Sequence, residues 1–587
     1  MPTKPGKKGT KSQADPTTVA TRARESLGKV IRRDPERHPL ILALVAPVGT
    51  PLDDVETALR DSLRRFGYGY ESVRLSDLLD TTPFAPWGTL PKRGEREYYR
   101  LRMNAGDELR GAVGNAAALA ALAVTAIVKR RGPKPKESAF VLRSLKNPSE
   151  VHLLRHVYGD AFLLVAVASS IEERRQALAD HLSLFENPRS EAENLIARDE
   201  SDSEEQDFGQ NVRAVYSMAD VYLPSGRGLI VAHEVDRFID AVFGAPFATP
   251  RPAEEAMRLA FDASLRSAAA GRQVGATIVP RIGTPMIVGT NEVPKPGGGQ
   301  YWSGDVPDYR DFQVGSDPNP VYTKRVIQEM LERLARRGWL VDELRSLTGP
   351  QLLARATESS DEGESVLEGA RASALIEFTR CLHAEQSAIV NAARAGIATT
   401  DAMMYTTTFP CHECAKMIIG AGITEVHYVE PYPKSLVSRL YRDLIDTEPE
   451  LYGTSGLSGR RVPFHQFFGI APRLYATAFR AGERRVGDQI IEWDRMKAWP
   501  QTAGWNENGV RERESTVVTS ISQVLNGLAS GAIEPVYVPI AARAEPEDAV
   551  GSAPATETGP PPVLDAGASA DAGGDALRAS GEGQPAT

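Results

Sequence analysis

Cysteine is scarce in this chain: three in 587 residues, Cys381, Cys411 and Cys414. So few thiols exclude a disulfide framework and point to a reducing, cytoplasmic setting. No apolar run reaches the roughly 18 residues a membrane span needs. The most hydrophobic stretch, VGNAAALAALAVTAIV from Val113 to Val128, is Ala-dominated and reads as one buried helix. Aromatic residues make up only 7%, and no stripe interleaves them with Lys and Arg, so a nucleic-acid strand has little to stack on. Basic charge is short too: 68 Lys and Arg against 77 Asp and Glu leave a formal net charge of −9. That balance argues against broad phosphate-backbone binding while leaving room for a local basic pocket that takes a small anion. The opening stretch MPTKPGKKGTKSQADPTT lacks the apolar centre of a secretory leader.

The length is too great for one ordinary core and predicts two to four domains, with 42% apolar and 25% charged residues typical of a globular chain. Residues 1–34 read as a disordered arm, and 541–587, rich in Ala, Gly, Pro and Ser, as a disordered tail that cannot bury enough apolar surface to offset chain entropy. Between them, 35–247 alternates apolar runs (PLILALVAPVG, AFLLVAVASS) with amphipathic helices (LDDVETALRDSLRRFG, IEERRQALADHL), the pattern of a parallel α/β sheet. The acidic stretch DESDSEEQD, Asp199 to Asp207, reads as a solvated loop. After the proline-rich junction FGAPFATPRPAEEAM, a second region, 248–500, reads in the order α-β-β-α-β-α-β. Its elements are a helix from Glu254 to Ala270, the strand pair QVGATIV and MIVGTNEV, the helix AEQSAIVNAARAG, the strand AMMYTTT, a helix from CHECAK and the strand EVHYVEP. An insertion, 297–375, carries a helix around Val321 to Leu340; its length marks it as functional or disordered. Residues 501–540 form a C-terminal extension.

The chemistry centres on TTFPCHECAKMI. A C-x-x-C such as Cys411 and Cys414 can be a redox dithiol, half of a structural zinc site or part of a catalytic one. CLHAEQSAIV places His383 and Glu385 at the start of the preceding helix, and a redox dithiol has no use for them. One imidazole and two thiolates at two facing helix N-termini make a site for one zinc with an open fourth position, the mark of a catalytic metal. Cys381 and His412 are poor fourth ligands, because each lies too close in sequence to a ligand to converge with it on one ion. Cys381 reads as a small buried hydrophobe.

His-x-Glu followed by Pro-Cys-x-x-Cys resembles the zinc-dependent cytidine/deoxycytidylate deaminase superfamily, over roughly residues 253–480. The resemblance implies Zn²⁺ on His383, Cys411 and Cys414, with the bound water's pKa lowered toward neutrality. Glu385 would move protons between that water, the pyrimidine N3 and the departing ammonia. GRQVGATIV and GTNEVP resemble the nucleotide-facing strands of deoxycytidylate deaminases, which makes Arg272 and Asn291 candidates for sugar and phosphate contacts. EPYPKS offers Lys434 and Ser435 as a cation and a hydroxyl for a phosphate. The N-terminal region resembles P-loop nucleotide kinases, but at the expected phosphate loop, ALVAPVGTPLDDV, only Gly49 is kept. Thr50 stands where the lysine belongs and Leu44 where the first glycine belongs, which implies a degenerate nucleotide-binding or structural domain.

The implied fold class is α/β: a P-loop kinase-like parallel-sheet domain followed by a cytidine-deaminase-like αβα domain with a long insertion. This fusion resembles the anti-phage dCTP deaminases. It implies deamination of free dCTP and dCMP, a homo-oligomer with no membrane partner, and control by an RNA antitoxin or a nucleotide. The competing expectations are a housekeeping deoxycytidylate deaminase, a polynucleotide editor, and a zinc-stabilised interaction module without turnover. Glu385 weighs against the last, since a structural zinc site needs no carboxylate beside the metal.

Overall fold

Strand β1 (Leu40–Val45) is apolar along its whole length, and each of its residues is at most 1% exposed. Ile41, Ala43 and Val45 enter one core cluster and Leu40, Leu42 and Leu44 another, so both faces of the strand are covered. A strand buried on both faces needs a continuous apolar run and not an alternating one. This computed structural model describes residues 37–131, 137–182, 187–201, 208–226, 228–358, 365–367, 370–431, 435–449, 461–480, 482–502 and 505–536.

From β1 the chain runs through α1 (Asp53–Arg65), β2 (Gly69–Arg74), α2 (Tyr98–Val113), α3 (Ala118–Arg131), β3 (Ser138–Arg143) and α4 (Pro148–Tyr158). It continues through β4 (Phe162–Ala168), α5 (Ile171–His181), α6 (Pro188–Ser201), α7 (Val212–Ser217), β5 (Val221–Pro224) and α8 (Gly228–Val242). The strands lie in the order β2-β3-β1-β4-β5, all parallel. The expected parallel α/β sheet is therefore present, with two local corrections.

The run Val113–Val128 is not one helix. Val113 closes α2, Gly114 takes a left-handed φ of 68° as its cap, and α3 leaves at 95°. Alanine-rich sequence continues a helix readily, but a glycine in the left-handed region ends one. Among the described residues no single helix is long and apolar enough to cross a membrane. The acidic stretch beginning at Asp199 does not start in a solvated loop either. Asp199 lies on α6, is 3% exposed, and accepts hydrogen bonds from Val48 N–H (2.6 Å) and Lys146 Nζ (2.8 Å). A buried carboxylate is tolerated because those donors replace its water. Residues 202–207 lie outside the described residues.

The second half begins with α9 (Pro252–Ser264), which stops short of Ala270 because the following amides turn to side chains: Ala268 N–H donates to Glu292 and Ala269 N–H to Ser267 Oγ. There follow β6 (Gly275–Val279), β7 (Ile287–Thr290), α10 (Pro318–Arg336, within the insertion), α11 (Ala384–Ala395), β8 (Met403–Thr408), α12 (His412–Gly420) and β9 (Glu425–Glu430). The last elements used below are β10 (Ile445–Asp446), β11 (Val462–Gln466), β12 (Gly469–Ile470) and α13 (Glu507–Ser530). The second sheet has the order β10-β11-β9-β8-β6-β7, with β6 antiparallel to both neighbours and the other pairs parallel.

Two late segments return to the first sheet. β12 adds antiparallel to β5, and α13 sends Ile521, Leu525 and Leu528 into the core cluster that holds Leu119 and Ala123 of α3.

Candidate metal centre and substrate cavity

The site is built where two helices begin, α11 just before β8 in the chain and α12 just after it. His383 is the N-cap of α11 and Cys411 the N-cap of α12, both in extended backbone conformation. Cys414 lies three residues into α12, so its side chain shares a face with that of Cys411. Gly289 on β7 sets how closely α11 approaches the sheet: a Cβ there would stand 2.3 Å from both Ala384 O and Ala388 N. His383 N–H donates to Gln386 Oε1 (3.1 Å), which holds the first turn closed.

One ligand atom from each of His383, Cys411 and Cys414 falls within 4.8 Å of the other two. His383 Nδ1 is 3.3 Å from both sulfurs. Cys411 is 8% exposed and Cys414 fully buried. The two thiols divide one negative charge unequally. A hydrogen bond from Cys414 outweighs burial and holds the Cys411 thiol down to about 4, while burial pushes the Cys414 thiol up. A divalent cation stabilises both as thiolates at once. One imidazole and two sulfurs at this spacing therefore fit a zinc ion with a position left open.

Glu385, on the first turn of α11, is 4% exposed and receives a contact from Cys414 Sγ at 3.3 Å. Burial, then the negative charge of Cys411, raises its pKa above the ordinary carboxylate value. A carboxyl group placed this way holds a proton more readily than a free glutamate does.

His383, Glu385 and Cys411 line a cavity of about 320 Å³. One wall is the turn before β6, carrying Arg272, whose guanidinium pairs with Glu430 at the end of β9 (2.7 Å). The insertion adds Asp311, Asp317 and Asn319 to the lining. Asp317 caps α10 by accepting Asn319 N–H (2.9 Å), and Asn319 ties down Leu375 O (2.8 Å). Both walls carry paired charge, Arg272 with Glu430 on the β9 side and Asp311 with Arg380 (3.1 Å) on the side of the insertion.

The other expected residues are distributed as follows. Asn291 lines the cavity, but its amide bridges backbone: Oδ1 accepts from Val274 N–H (2.7 Å) and Nδ2 donates to Arg272 O (2.6 Å). Ser435 donates to Pro410 O (3.0 Å) and faces a different cavity. Lys434 lies outside the described residues. Gly49 and Thr50 lie far along the chain, in the turn after β1. A Cβ on Gly49 would meet Arg174 O at 2.7 Å, and the buried Thr50 hydroxyl has no hydrogen-bond partner among the described residues. Cys381 lies outside the metal group, in the cavity wall 3.9 Å from Asp311 Oδ2. Burial and the neighbouring carboxylates push its thiol up to about 12, so it stays protonated. Sequence reasoning missed Asp311, Asp317 and Asn319. The only local cue was Asp317-Pro318, a helix-start pair that says nothing about which cavity the helix begins beside.

Residues 250–430 match the family model of the cytidine and deoxycytidylate deaminase zinc-binding region. The chain therefore carries a domain of that type, with zinc as its cofactor. ComE operon protein 2 of Bacillus subtilis (strain 168) is 45% identical over 53 residues, 9% of this chain and 28% of that protein. The deoxycytidylate deaminase of Enterobacteria phage T2 is 46% identical over 54 residues, 9% of this chain and 29% of that one. The chain thus spans under a third of the length of these relatives. A dCMP deaminase from the cyanophage S-TIM5, solved in apo form, aligns over 37% of this chain and 99% of its own at 18% identity, with a TM-score of 0.19.

Proposed function

We propose that the protein is a zinc-dependent hydrolase that deaminates free deoxycytidine nucleotides, dCTP and dCMP, to the deoxyuridine nucleotides and ammonia, depleting dCTP in defence against phage. The observation that carries the chemistry is Glu385, buried in contact with a metal-ligand sulfur and lining a cavity large enough for a nucleotide. Zinc, when bound, supplies an activated water at neutral pH. Glu385 accepts a proton from the attacking water and passes it to N3 of the base. It then takes the remaining proton from the hydroxyl now on C4 and gives it to the amino group, so that the C4–N bond breaks, ammonia departs and C4 keeps the oxygen as a carbonyl. Arg272 supports a phosphate on the β9 side of the cavity. Asp317 turns anionic groups away from the side of the insertion, where Asp311 is already paired with Arg380.

The parallel order β2-β3-β1-β4-β5 ahead of this domain supports the reading of residues 35–247 as a degenerate nucleotide-kinase-like domain. With Thr50 in place of lysine and Asp199 already bound to Val48 N–H, the turn after β1 has lost its phosphate cation and one of its amides. No ATP hydrolysis at kinase-like rates is expected.

The deciding experiment incubates the zinc-loaded protein with dCTP, dCMP, CTP, cytidine and a cytosine-containing oligonucleotide, following ammonia and uracil products. Turnover of dCTP and dCMP is expected; reaction of the oligonucleotide alone overturns the proposal. The names of the matched relatives favour a second reading, a housekeeping dCMP deaminase feeding thymidylate synthesis. A kcat/KM for dCMP far above that for dCTP would select it.

A further inference from the structure

A second cavity, of about 380 Å³, lies between the α5 and α7 side of the first sheet and strands β9 and β11 of the second. It shares one wall with the catalytic cavity, the ring of Phe409, which lines both. Two arginines face it: Arg174, 5% exposed and donating Nε–H to Val48 O (3.0 Å), and Arg213. Of the two carboxylates in its described lining, Asp199 is neutralised by Lys146 at 2.8 Å, which leaves Glu448. The N-terminus of α5, capped by Ser170, opens on the same space and adds its own positive end. Phe409 and Tyr428 meet there edge to face at 4.9 Å and offer an aromatic wall. Tyr216 completes it. The residue is 2% exposed, and its hydroxyl has no hydrogen-bond partner among the described residues. A buried hydroxyl left in that state costs free energy that a bound acceptor or donor would recover.

The two cavities meet at one carboxylate. Glu430 Oε1 is 2.7 Å from Arg272 Nη1 in the catalytic cavity and 3.8 Å from Arg213 Nε in the second. Glu430 O also accepts the backbone N–H of Phe409, the shared wall (2.8 Å).

We infer that the second cavity is a binding site for an aromatic ring carrying a phosphate, of the size of a nucleoside monophosphate, and that it is coupled to the catalytic cavity through Glu430. The sign of the coupling follows from the shared carboxylate. A phosphate that draws Arg213 away leaves Glu430 to Arg272 alone, and Arg272 becomes less available to a substrate phosphate. Occupation of the second site therefore raises KM and leaves kcat unchanged, and substrate weakens the second ligand by the same factor.

The coupling half of this inference rests on the proposed deaminase reading; the binding half does not. Calorimetry on the zinc-loaded full chain, with AMP, GMP and inorganic phosphate as probes, reads the site without turnover. AMP or GMP should bind at least about tenfold more tightly than phosphate alone, because the ring adds stacking. Arg213→Ala should weaken that binding by about tenfold or more. Tyr216→Phe, which removes one oxygen from an otherwise intact core, should weaken it measurably with an unchanged thermal midpoint. In steady-state assays with dCMP the bound probe should raise KM by about fivefold or more, and Glu430→Gln should bring that factor toward one while binding persists. Absence of purine-nucleotide binding at millimolar concentration overturns the site. So does binding that survives Arg213→Ala and Tyr216→Phe but is lost in Arg272→Ala, which would place the probe in the catalytic cavity. A protein that binds AMP or GMP in this pattern and deaminates nothing keeps the site and refutes the deaminase reading instead.

Discussion

Glu385 and Asn291 both line the cavity beside the metal group, and their hydrogen-bond partners differ in kind. Glu385 touches a metal-ligand sulfur and its own backbone amide, contacts that a glutamine can also accept. Glu385→Gln should keep one zinc per chain by metal analysis and lose about 10²- to 10⁴-fold in kcat, the range for removing a general acid–base. Cys414→Ser should behave in the opposite order: metal content falls first and activity follows, because a ligand has been lost from a three-residue set. Asn291 spends both ends of its amide on the backbone of Val274 and Arg272. Asn291→Ala should accordingly cost about 1 kcal/mol of stability by leaving half-buried backbone groups without their partners. Denaturant titration checks this, and its effect on kcat should be far smaller than that of the Glu385 change.

At the scale of elements, the approach of α11 to β7 decides whether the metal ligands converge. The atoms a side chain at Gly289 would strike are the backbone of Ala384 and Ala388, which cannot rotate aside. Gly289→Ala should shift the first turn of α11, cost about 1–3 kcal/mol as overpacking does, and weaken zinc retention against a chelator. On the other face of the sheet, β8, β9 and β11 align Tyr405, His427 and His465 in register, and the rings of His427 and His465 stack at 5.3 Å. Burial first, then the neighbouring His427, lowers the pKa of His465, against the opposing pull of Glu425 and Asp446. A histidine whose folded pKa lies below its unfolded value binds fewer protons when folded in the window beneath 6.5. Stability should therefore decline as pH falls through 6.5 toward the folded value, and His465→Gln should flatten that part of a thermal-midpoint profile.

Across the whole molecule, the two sheets are joined by more than the covalent chain. Glu254, 1% exposed at the start of α9, accepts from Ile470 N–H of β12 and from Arg251 N–H (2.8 Å each) and pairs with Arg237 of α8. β12 in turn extends the first sheet at β5. Glu254→Ala leaves an arginine and two amides without their acceptor, and the expected loss is about 3–5 kcal/mol, the cost of breaking a buried ion pair from one side. Because the carboxylate serves α8, α9 and β12 at once, calorimetric melting should show both halves of the chain destabilised together.

Local pattern determined much of this protein by itself. An apolar run with no alternation defines β1 and β4 because both faces must be covered. That His383, Cys411 and Cys414 come together with Glu385 beside them was legible because each helix presents its N-cap and first-turn residues at a spacing written in the sequence. Tertiary structure alone decided the rest, where partners come from far along the chain. The insertion supplies Asp311 and Asp317 to the cavity wall, Asp199 occupies the turn after β1, and β12 leaves the second half to extend the first sheet. Residue type could not announce the role of Asn291 or Asp199, since an amide or a carboxylate serves a ligand and a backbone N–H equally well. Which partner it finds depends on which surfaces the packed core brings within 3 Å, and that distance is set by the fold.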